Sequence, residues 1–268
     1  SMLLGAGLAI AGSTYQGIFR NPLVSPDVLG VSSGAGFGSV LGILLFGMSA
    51  TTSILAFVFG LGSVFLTYLF AKARGQTTMM SLVLSGMIVS AIFAALISLV
   101  KYVADPYDTL PAITYWLMGS FSKATFEDLR YIFIPLAVSL TVLNLVRWRI
   151  NILSLGEEES KSLGVNPTRI KFIAIIASTI LTALSVTVVG IVGWVGLVIP
   201  HITRLLFGVD HKVLLPASCF IGAIFLTVVD IVSRSVMSAE IPIGIITALL
   251  GAPFFGFLLK YTNQKGDW

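Results

Sequence analysis

The sequence predicts an all-α, polytopic membrane protein, and three observations support this class: few charges, long charge-free segments, and abundant glycine and proline. Hydrophobic residues make up 56% of the 268 residues and charged residues only 10%, whereas an ordinary soluble domain is about 25% charged. A soluble fold of this size needs more polar side chains to cover its surface. A soluble enzyme and a disordered chain are therefore excluded. The 26 glycines and 10 prolines suit membrane helices, which tolerate both residues well.

Segments without charge predict about nine membrane helices, two of them short, in a single transmembrane domain over residues 1–268. A helix that crosses a bilayer needs about 20 mostly apolar residues. The charge-free or nearly charge-free segments are residues 1–19, 28–71, 75–100, 131–146, 172–203, 213–229 and 241–259. Residues 28–71 hold two helices with a turn near Gly47–Ser53, and residues 172–203 hold a full helix, a glycine-containing break and a short helix. The first residue is Ser rather than Met, which we interpret as an expression scar or a truncation.

Positively charged side chains give these segments an orientation. Twelve of the 16 Lys and Arg residues fall on one side of the predicted topology and four on the other. The larger group is Arg20, Lys72, Arg74, Arg147, Arg149, Lys161, Arg169, Lys171, Arg204, Lys212, Lys260 and Lys265, and the smaller is Lys101, Lys123, Arg130 and Arg234. Cytoplasmic loops carry the excess of Lys and Arg, so the carboxyl terminus is predicted to be cytoplasmic. With nine segments the amino end then lies outside, as if a first helix were missing.

Two connections are too long to be simple turns. Residues 101–130 lie on the outer side and residues 147–171 on the inner side. Within the inner connection, the stretch Leu153–Val165 has apolar residues near both of its ends and three consecutive acids, Glu157–Glu159, early on. This pattern predicts a pair of short amphipathic helices that dock on a partner; the alternative is a solvated loop.

The two halves of the chain are weakly similar in organisation. Four segments precede the region 101–171, and four follow the helix at 131–146. Each half has a short segment, interrupted by glycine or proline, after its first helix, which is typical of inverted repeats with a pathway near their interface. Gly34, Gly38 and Gly42 recur every fourth residue in an apolar segment, which predicts close helix packing rather than a phosphate-binding loop.

The sequence contains no motif for catalysis, for a cofactor or for a metal ion. It has no Gly-x4-Gly-Lys-Ser/Thr loop, so we do not expect the chain to bind ATP, and the single Cys219 excludes an internal disulfide. We interpret His201 as a structural histidine and His211 as an inner-loop residue. Asp230 and Glu240 lie near a membrane end, and the charge-free helix interiors argue against ion coupling. An intramembrane hydrolase would need a reactive cluster that the sequence lacks.

Five stretches carry a resemblance to a known family. They are residues 12–35, which include Arg20-Asn-Pro-Leu23; Tyr115–Ser120; Leu155–Glu157 with Leu163–Val165; Gly196–Arg204 followed by Asp210–Pro216; and Asp230–Arg234 with Glu240–Gly244 and Leu250–Pro253. Over about residues 4–260 they resemble the permease subunits of FecCD-like, binding-protein-dependent ABC importers for iron–siderophore, haem, vitamin B12 and related metal chelates.

The resemblance implies a ten-helix ABC importer permease fold with inverted repeats, of which about nine helices are present and the first is missing. It implies a homodimer with the pathway on its two-fold axis, separate cytoplasmic ATPase subunits, and an extracytoplasmic substrate-binding protein, all at a prokaryotic cytoplasmic (inner) membrane. The chain itself is then not an enzyme and holds no cofactor. Iron–siderophore chelates are the first expectation for the substrate, with vitamin B12, haem and molybdate or tungstate open. A secondary carrier or channel is the alternative of another class.

The resemblance also implies roles for individual residues. The cytoplasmic gate comprises Asn21, Leu23, Thr77, Thr78 and Met79. The ATPase coupling region, at about residues 150–170, comprises Leu153, Leu155, Gly156, Glu157, Glu158, Glu159, Leu163 and Gly164. Arg234 is expected to dock the binding protein by charge pairing, which steers docking more than it adds affinity; the alternative is a local pair with Asp230 or Glu240.

Overall fold

The computed structural model describes residues 1–72 and 78–265, with side chains in the last helix up to Leu258 and at Lys260. Within these ranges the regular structure is entirely helical. The helices are α1 (Met2–Phe19), α2 (Val31–Phe46), α3 (Ala50–Ala71), α4 (Met79–Val103), α5 (Thr109–Met118), α6 (Phe126–Leu155), α7 (Glu157–Ser162), α8 (Pro167–Val189), α9 (Val195–Phe207), α10 (His211–Ser235) and α11 (Ile243–Lys265), with a 3-10 turn at Pro26–Leu29 before α2.

The described residues contain nine apolar helices, six long and three shorter, which agrees with the predicted number of segments. Six are long and apolar enough to cross a membrane: α1, α3, α4, α6, α8 and α10. The other three are shorter apolar helices, Val31–Phe46, Val195–Phe207 and Ile243–Leu258. The predicted turn near Gly47–Ser53 is confirmed by the ends of α2 and α3, and the all-α membrane fold is confirmed as a whole.

Helix α1 lies at the centre of the bundle, packed against α6, α8, α9 and α10. Small residues allow this, because a Cβ atom added to Gly12 would lie 1.8 Å from the carbonyl oxygen of Gly196 in α9. Gly5 similarly approaches the carbonyl oxygen of Gly222 in α10. Such close approach of helix backbones is how apolar helices associate where the surroundings are equally apolar.

Glycine packing also joins α2 to α3, as the sequence predicts. Cβ atoms added to Gly34 and Gly38 would lie 2.5 Å and 2.3 Å from the carbonyl oxygens of Phe59 and Leu55. Gly42 meets Thr52 one turn further along. The four-residue spacing therefore marks a packing face, which confirms the prediction made from it.

A break precedes each of the two short helices. The first runs from Asn21 to Gly30 and includes the turn at Pro26–Leu29, and the second is the stretch 190–194 between α8 and α9. A Cβ atom added to Gly196, in the first turn of α9, would lie 2.4 Å from Cγ of Pro26, so the first interruption touches the helix that follows the second. Irregular backbone is tolerated in membrane proteins where protein surrounds it. Each half thus has a broken segment before a short helix, as the predicted repeats require.

Two connections differ from the sequence prediction. Helix α6 is longer than the charge-free window 131–146, because a capping box between Thr125 and Asp128 starts it early and it continues past Arg147 to Leu155. The inner connection accordingly holds one short helix, α7, instead of a pair. Gly156, with φ of 145°, separates α6 from α7.

Candidate functional site

Residues predicted to be cytoplasmic gather at one end of the bundle. The loop after α1, the last turn of α6, the end of α9 and the start of α10 line a common pocket there, through Arg20, Asn21, Ser154, Arg204 and His211. At the opposite end, Ser120 donates a hydrogen bond of 2.9 Å to Glu240, and Lys123 contacts the sulfur of Met48. The two sides assigned from charge therefore correspond to two ends of the structure.

The gate residues Asn21 and Leu23 form a compact turn after α1. Oδ1 of Asn21 accepts a hydrogen bond of 2.9 Å from the backbone N–H of Leu23, an Asx turn that fixes the loop. The side chain of Leu23 is 45% exposed. Both residues line an open groove of about 470 Å³ whose other wall includes Val83 and Met87 of α4.

The other predicted gate residues surround the start of α4. Thr77 lies outside the described residues. Thr78 caps α4, since its hydroxyl accepts a hydrogen bond of 3.1 Å from the backbone N–H of Ser81, whose side chain accepts one from Thr78 in return. Met79 packs partly buried against the main core.

Two residues of the groove were missed by sequence reasoning. The α4 wall that faces Asn21 and Leu23 consists of Val83, Met87 and Ser90, about one, two and three turns beyond the predicted positions. Their spacing of four and three residues is that of one helix face, which is the signal that could have identified them once α4 was placed beside the loop.

Helix α7 is fixed firmly to the bundle. The hydroxyl of Ser160 donates a hydrogen bond of 3.0 Å to the carbonyl oxygen of Ile152. A small apolar cluster of Ile152, Leu153, Val165 and Ile170 lies beneath it. Leu153, which the prediction placed among the coupling residues, is interior, at 2% exposure, and packs with the cluster that supports α7.

The free surface of α7 and its flanks is partly apolar and partly acidic. Leu155 and Leu163 are 62% and 57% exposed, on either side of the exposed Glu158 and Glu159. Glu158 pairs with Lys161 at 3.0 Å, and Glu157 pairs with Lys171 at the start of α8. The hydrogen bond from Lys171 holds the pKa of Glu157 below its ordinary value.

Glycines define both ends of this element. Gly156 and Gly164 have φ of 145° and 76°, which only glycine adopts without strain. Two exposed leucines beside a short, well-anchored acidic helix form a surface suited to a protein partner.

Arg234 lies in the last turn of α10, at the end opposite α7. Its Nε donates a hydrogen bond of 2.8 Å to Oδ1 of Asp230, one turn earlier, and its side chain is 50% exposed. The salt bridge between Arg234 and Asp230, which was the alternative to a docking role, is therefore present. The Asp230 side chain is only 16% exposed, but half of the Arg234 side chain is exposed, so the outer face of its guanidinium group is available to another carboxylate.

One of the two histidines differs from its predicted setting. His211 is the first residue of α10 and is 7% exposed, so its prediction as a loop residue is wrong. It is buried because Gly17 of α1 allows the ring to pack directly against that helix. His201 packs against the rings of Phe254 and Phe255. Within the described ranges, no three His, Cys, Asp or Glu residues lie together in a way that would hold a metal ion.

Comparisons with known proteins extend over nearly the whole chain. Residues 1–261 match the FecCD transport family. The molybdate import system permease protein MolB of Haemophilus influenzae is 44% identical over 270 residues, covering 99% of this chain and 79% of that protein. A Helicobacter pylori protein named "probable iron chelatin transport system permease protein" is 41% identical, covering 98% of this chain and 79% of that protein.

A solved structure has the same fold. It is an ABC transporter assigned to the metal-chelate type, in an inward-facing conformation, and it superimposes with a TM-score of 0.91 at 44% identity. The match covers 97% of this chain and 83% of that one. The groove beside Asn21 and the surface around α7 are thus features of a chain whose fold is that of an importer permease.

Proposed function

The chain belongs to the FecCD transport family, and on that premise we propose that it imports a metal chelate by alternating access, as one half of a homodimer. It is a permease of an ABC importer, a system that works with ATPase subunits and a binding protein. The observation that carries the proposal is the position of the gate loop and α7 at one end, where Arg20 contacts Leu153. The excess of Lys and Arg on that side favours a cytoplasmic location for it and for the carboxyl terminus.

The mechanism follows from this arrangement. ATP binding closes the ATPase subunits, α7 moves with them, and the two permease copies rock against each other. Substrate then leaves between the turn at Asn21 and Leu23 and the wall of α4, which begins at Met79 after the cap Thr78. The chain supplies no catalytic group to this cycle, and hydrolysis takes place in the separate ATPase.

The lining of the groove favours a chelate over a bare oxyanion. Asn21, Ser25 and Ser90 are neutral, Asp27 is the one ionisable residue, and none of the described lining residues is cationic. A carboxylate repels a small anion, whereas a bulky chelate with distributed charge passes such a wall with little attraction. We therefore place an iron–siderophore chelate first. Molybdate is the second candidate, because the relative MolB, at 44% identity, is a molybdate permease protein.

Calorimetry on the partner binding protein tests the substrate directly. Ferric siderophore and molybdate are titrated separately, followed by uptake of the bound species into proteoliposomes that contain the complete importer. Tight binding and ATP-dependent uptake of the ferric chelate support the first candidate. Binding of molybdate alone would replace it with the second.

The coupling surface is tested by substituting its exposed leucines. Leu155→Asp and Leu163→Asp place charge where an apolar contact with the ATPase is expected, so binding-protein-stimulated hydrolysis should fall at least tenfold. Thr168→Asp, an exposed position in the first turn of α8, is the control for added charge at the same end. Unchanged hydrolysis in the leucine variants would contradict the coupling role. Transport without any ATPase would indicate a channel or secondary carrier instead.

The proposed docking role of Arg234 rests on its exposure at the end opposite α7. Arg234→Glu should weaken docking of the binding protein and should make the docking affinity less dependent on salt concentration. The reason is that charges at the rim of an interface act mainly on association rates. Asp230→Asn removes the local partner and leaves the arginine free, so docking should persist. Equal loss in both variants would show that only the local pair matters.

A further inference from the structure

A pocket with two arginines in its lining lies between four helices at the end of the bundle that holds the gate loop. Its volume is about 310 Å³, and its lining includes Gln16, Arg20, Ser154, Arg204 and His211 from α1, α6, α9, α10 and the residue after α1. Two of these side chains carry guanidinium groups, and none of the described lining residues carries a carboxylate. Two cations that face one cavity are stabilised by an anion placed between them.

Protein partners use only part of the donors of these two groups. Arg204 donates one hydrogen bond of 2.9 Å, from Nη2 to Oε1 of Gln16. Arg20 directs Nε and Nη2 to the carbonyl oxygen of Leu153. A guanidinium group has five N–H donors in a planar fork, and such forks match the oxygens of phosphate.

His211 adds a buried group without a partner. The residue is 7% exposed, and its Nε2 has no hydrogen-bond partner in the part of the chain that the structure describes. The same nitrogen lies against Gly17, where an added Cβ atom would be 2.4 Å away, and Gly17 also lines the pocket. Nε2 therefore lies behind Gly17, in the wall of the pocket and not on its open surface.

The tautomer of His211 determines what that nitrogen can bind. Oδ1 of Asn151 accepts a hydrogen bond of 2.8 Å from the backbone N–H of His211, which establishes that this atom is the amide oxygen. Nδ1 lies 2.9 Å from the same oxygen and must therefore donate to it. In the neutral ring Nε2 is then an acceptor. The cationic donors of the pocket are those of Arg20 and Arg204, and the ring of His211 closes part of its wall.

We propose that this pocket binds a phosphate-class oxyanion, with Arg20 and Arg204 holding its charged oxygens. Hydrogen phosphate offers this chemistry, and so does the headgroup of phosphatidylglycerol. Nearby Asp210 is occupied by Asn151 and the backbone N–H of Lys212. The proposal holds whatever substrate the importer carries.

The experiment measures thermal unfolding of the purified full chain in neutral detergent. Sodium phosphate is compared with sodium chloride at equal ionic strength, and short-chain phosphatidylglycerol with short-chain phosphatidylcholine. A ligand that binds only the folded chain raises Tm saturably. We expect saturable stabilisation by phosphate or by phosphatidylglycerol. Saturation by phosphatidylglycerol at tenfold lower concentration than by phosphate identifies a lipid headgroup as the occupant, and the reverse order identifies a soluble anion.

Three variants decide whether the pocket is responsible. Arg204→Gln removes one cation, and Ser154→Asp adds a carboxylate at the exposed rim without disturbing a buried contact, so each should raise the half-saturating concentration at least tenfold. Arg149→Gln removes an exposed arginine of α6 near the same end and should change it less than twofold. Stabilisation no greater than that by chloride and phosphatidylcholine would overturn the proposal. An equal loss in Arg149→Gln would also overturn it.

Discussion

Arg20 donates two hydrogen bonds to the main-chain carbonyl oxygen of Leu153, at 3.0 Å from Nε and 2.6 Å from Nη2. Arg20 is the C-cap of α1, directly before the turn at Asn21, and Leu153 lies in the last turn of α6, directly before α7. One planar side chain therefore connects the gate loop to the element that supports α7. This contact is a physical route by which a displacement of α7 would reach Asn21.

Arg20→Lys tests that route because it keeps the charge and removes the planar fork. A single ammonium group cannot make both bonds in this geometry, and a hydrogen bond with a charged partner contributes about 1.5–3 kcal/mol. We expect substrate uptake per ATP hydrolysed to fall about tenfold in proteoliposomes with the complete importer, while hydrolysis itself continues. Arg149→Lys is the control. An unchanged ratio in Arg20→Lys would show that the contact carries no coupling.

The close approach of α1 to α9 predicts a sharp difference between two glycines of one helix. In Gly12→Ala the new methyl group would lie 1.8 Å from the carbonyl oxygen of Gly196 and 2.8 Å from its Cα, so α9 must move. Overpacking of this kind costs about 1–3 kcal/mol or more. We expect a lower Tm and less folded protein, measured by thermal unfolding in detergent.

Gly7→Ala is the matched control for this prediction. It lies in the same helix and is also buried, but its methyl group would meet Leu181 at an ordinary 3.5 Å. Alanine is favoured over glycine in a helix by up to about 1 kcal/mol. Gly7→Ala should therefore be neutral or stabilising. Similar behaviour of the two variants would contradict the packing of α1 on α9.

The positions of the apolar helices could be predicted well from the sequence. A membrane crossing needs a continuous apolar stretch of fixed length without charges, and such a stretch can be recognised from neighbouring residues alone. The window 131–146 underestimated α6, since the absence of charge measures the apolar part of a helix and not its solvated extension past Arg147. The predicted pair of short helices became one, because the pattern of leucines at 153 and 155 is satisfied equally by the last turn of α6.

Contacts between distant segments were beyond the sequence. Nothing near Val83 or Met87 in the chain indicates that they face Asn21, because that depends on how α4 packs beside the loop. The burial of His211 likewise follows from the absence of a side chain at Gly17 in another helix. The resemblance to importer permeases supplied the gate and coupling regions, but which leucines are free and which is interior became visible only in the packed structure.

The end of the bundle opposite α7 is held by backbone contacts that depend on glycine. The backbone N–H of Ser120 donates a hydrogen bond of 2.8 Å to the carbonyl oxygen of Val189, and that of Ile243 donates one of 2.9 Å to Gly119. Gly190 has φ of 76°, and a Cβ atom there would lie 2.2 Å from the carbonyl oxygen of Trp116. These contacts bind the end of α5 to α8 and to the start of α11.

Gly190→Ala should therefore release α5 from this connection. We expect faster amide hydrogen exchange in peptides that cover Thr109–Met118, because the new methyl group displaces Trp116 and the backbone at 190 is strained. Gly193→Ala, three residues along, has no atom within 4 Å of its added Cβ and should leave exchange unchanged. If the amides of α5 stay equally protected from hydrogen exchange in both variants, these contacts do not hold α5 in place.

The exposed wall of α4 provides a test of the proposed homodimer. Met87 is 64% exposed and lines the groove with Asn21 and Leu23. If two copies face each other across a pathway on a two-fold axis, a residue near that axis lies near its own counterpart.

Met87→Cys in a Cys219→Ser background should then form a covalent dimer with a short bis-maleimide reagent in membranes. Ile224→Cys, equally exposed at 63% but on α10, should remain monomeric under the same conditions, because α10 is packed on the far side of α1. Crosslinking through Ile224 instead of Met87 would place the subunit interface on α10. The groove would then face lipid, and this would contradict a pathway between two subunits.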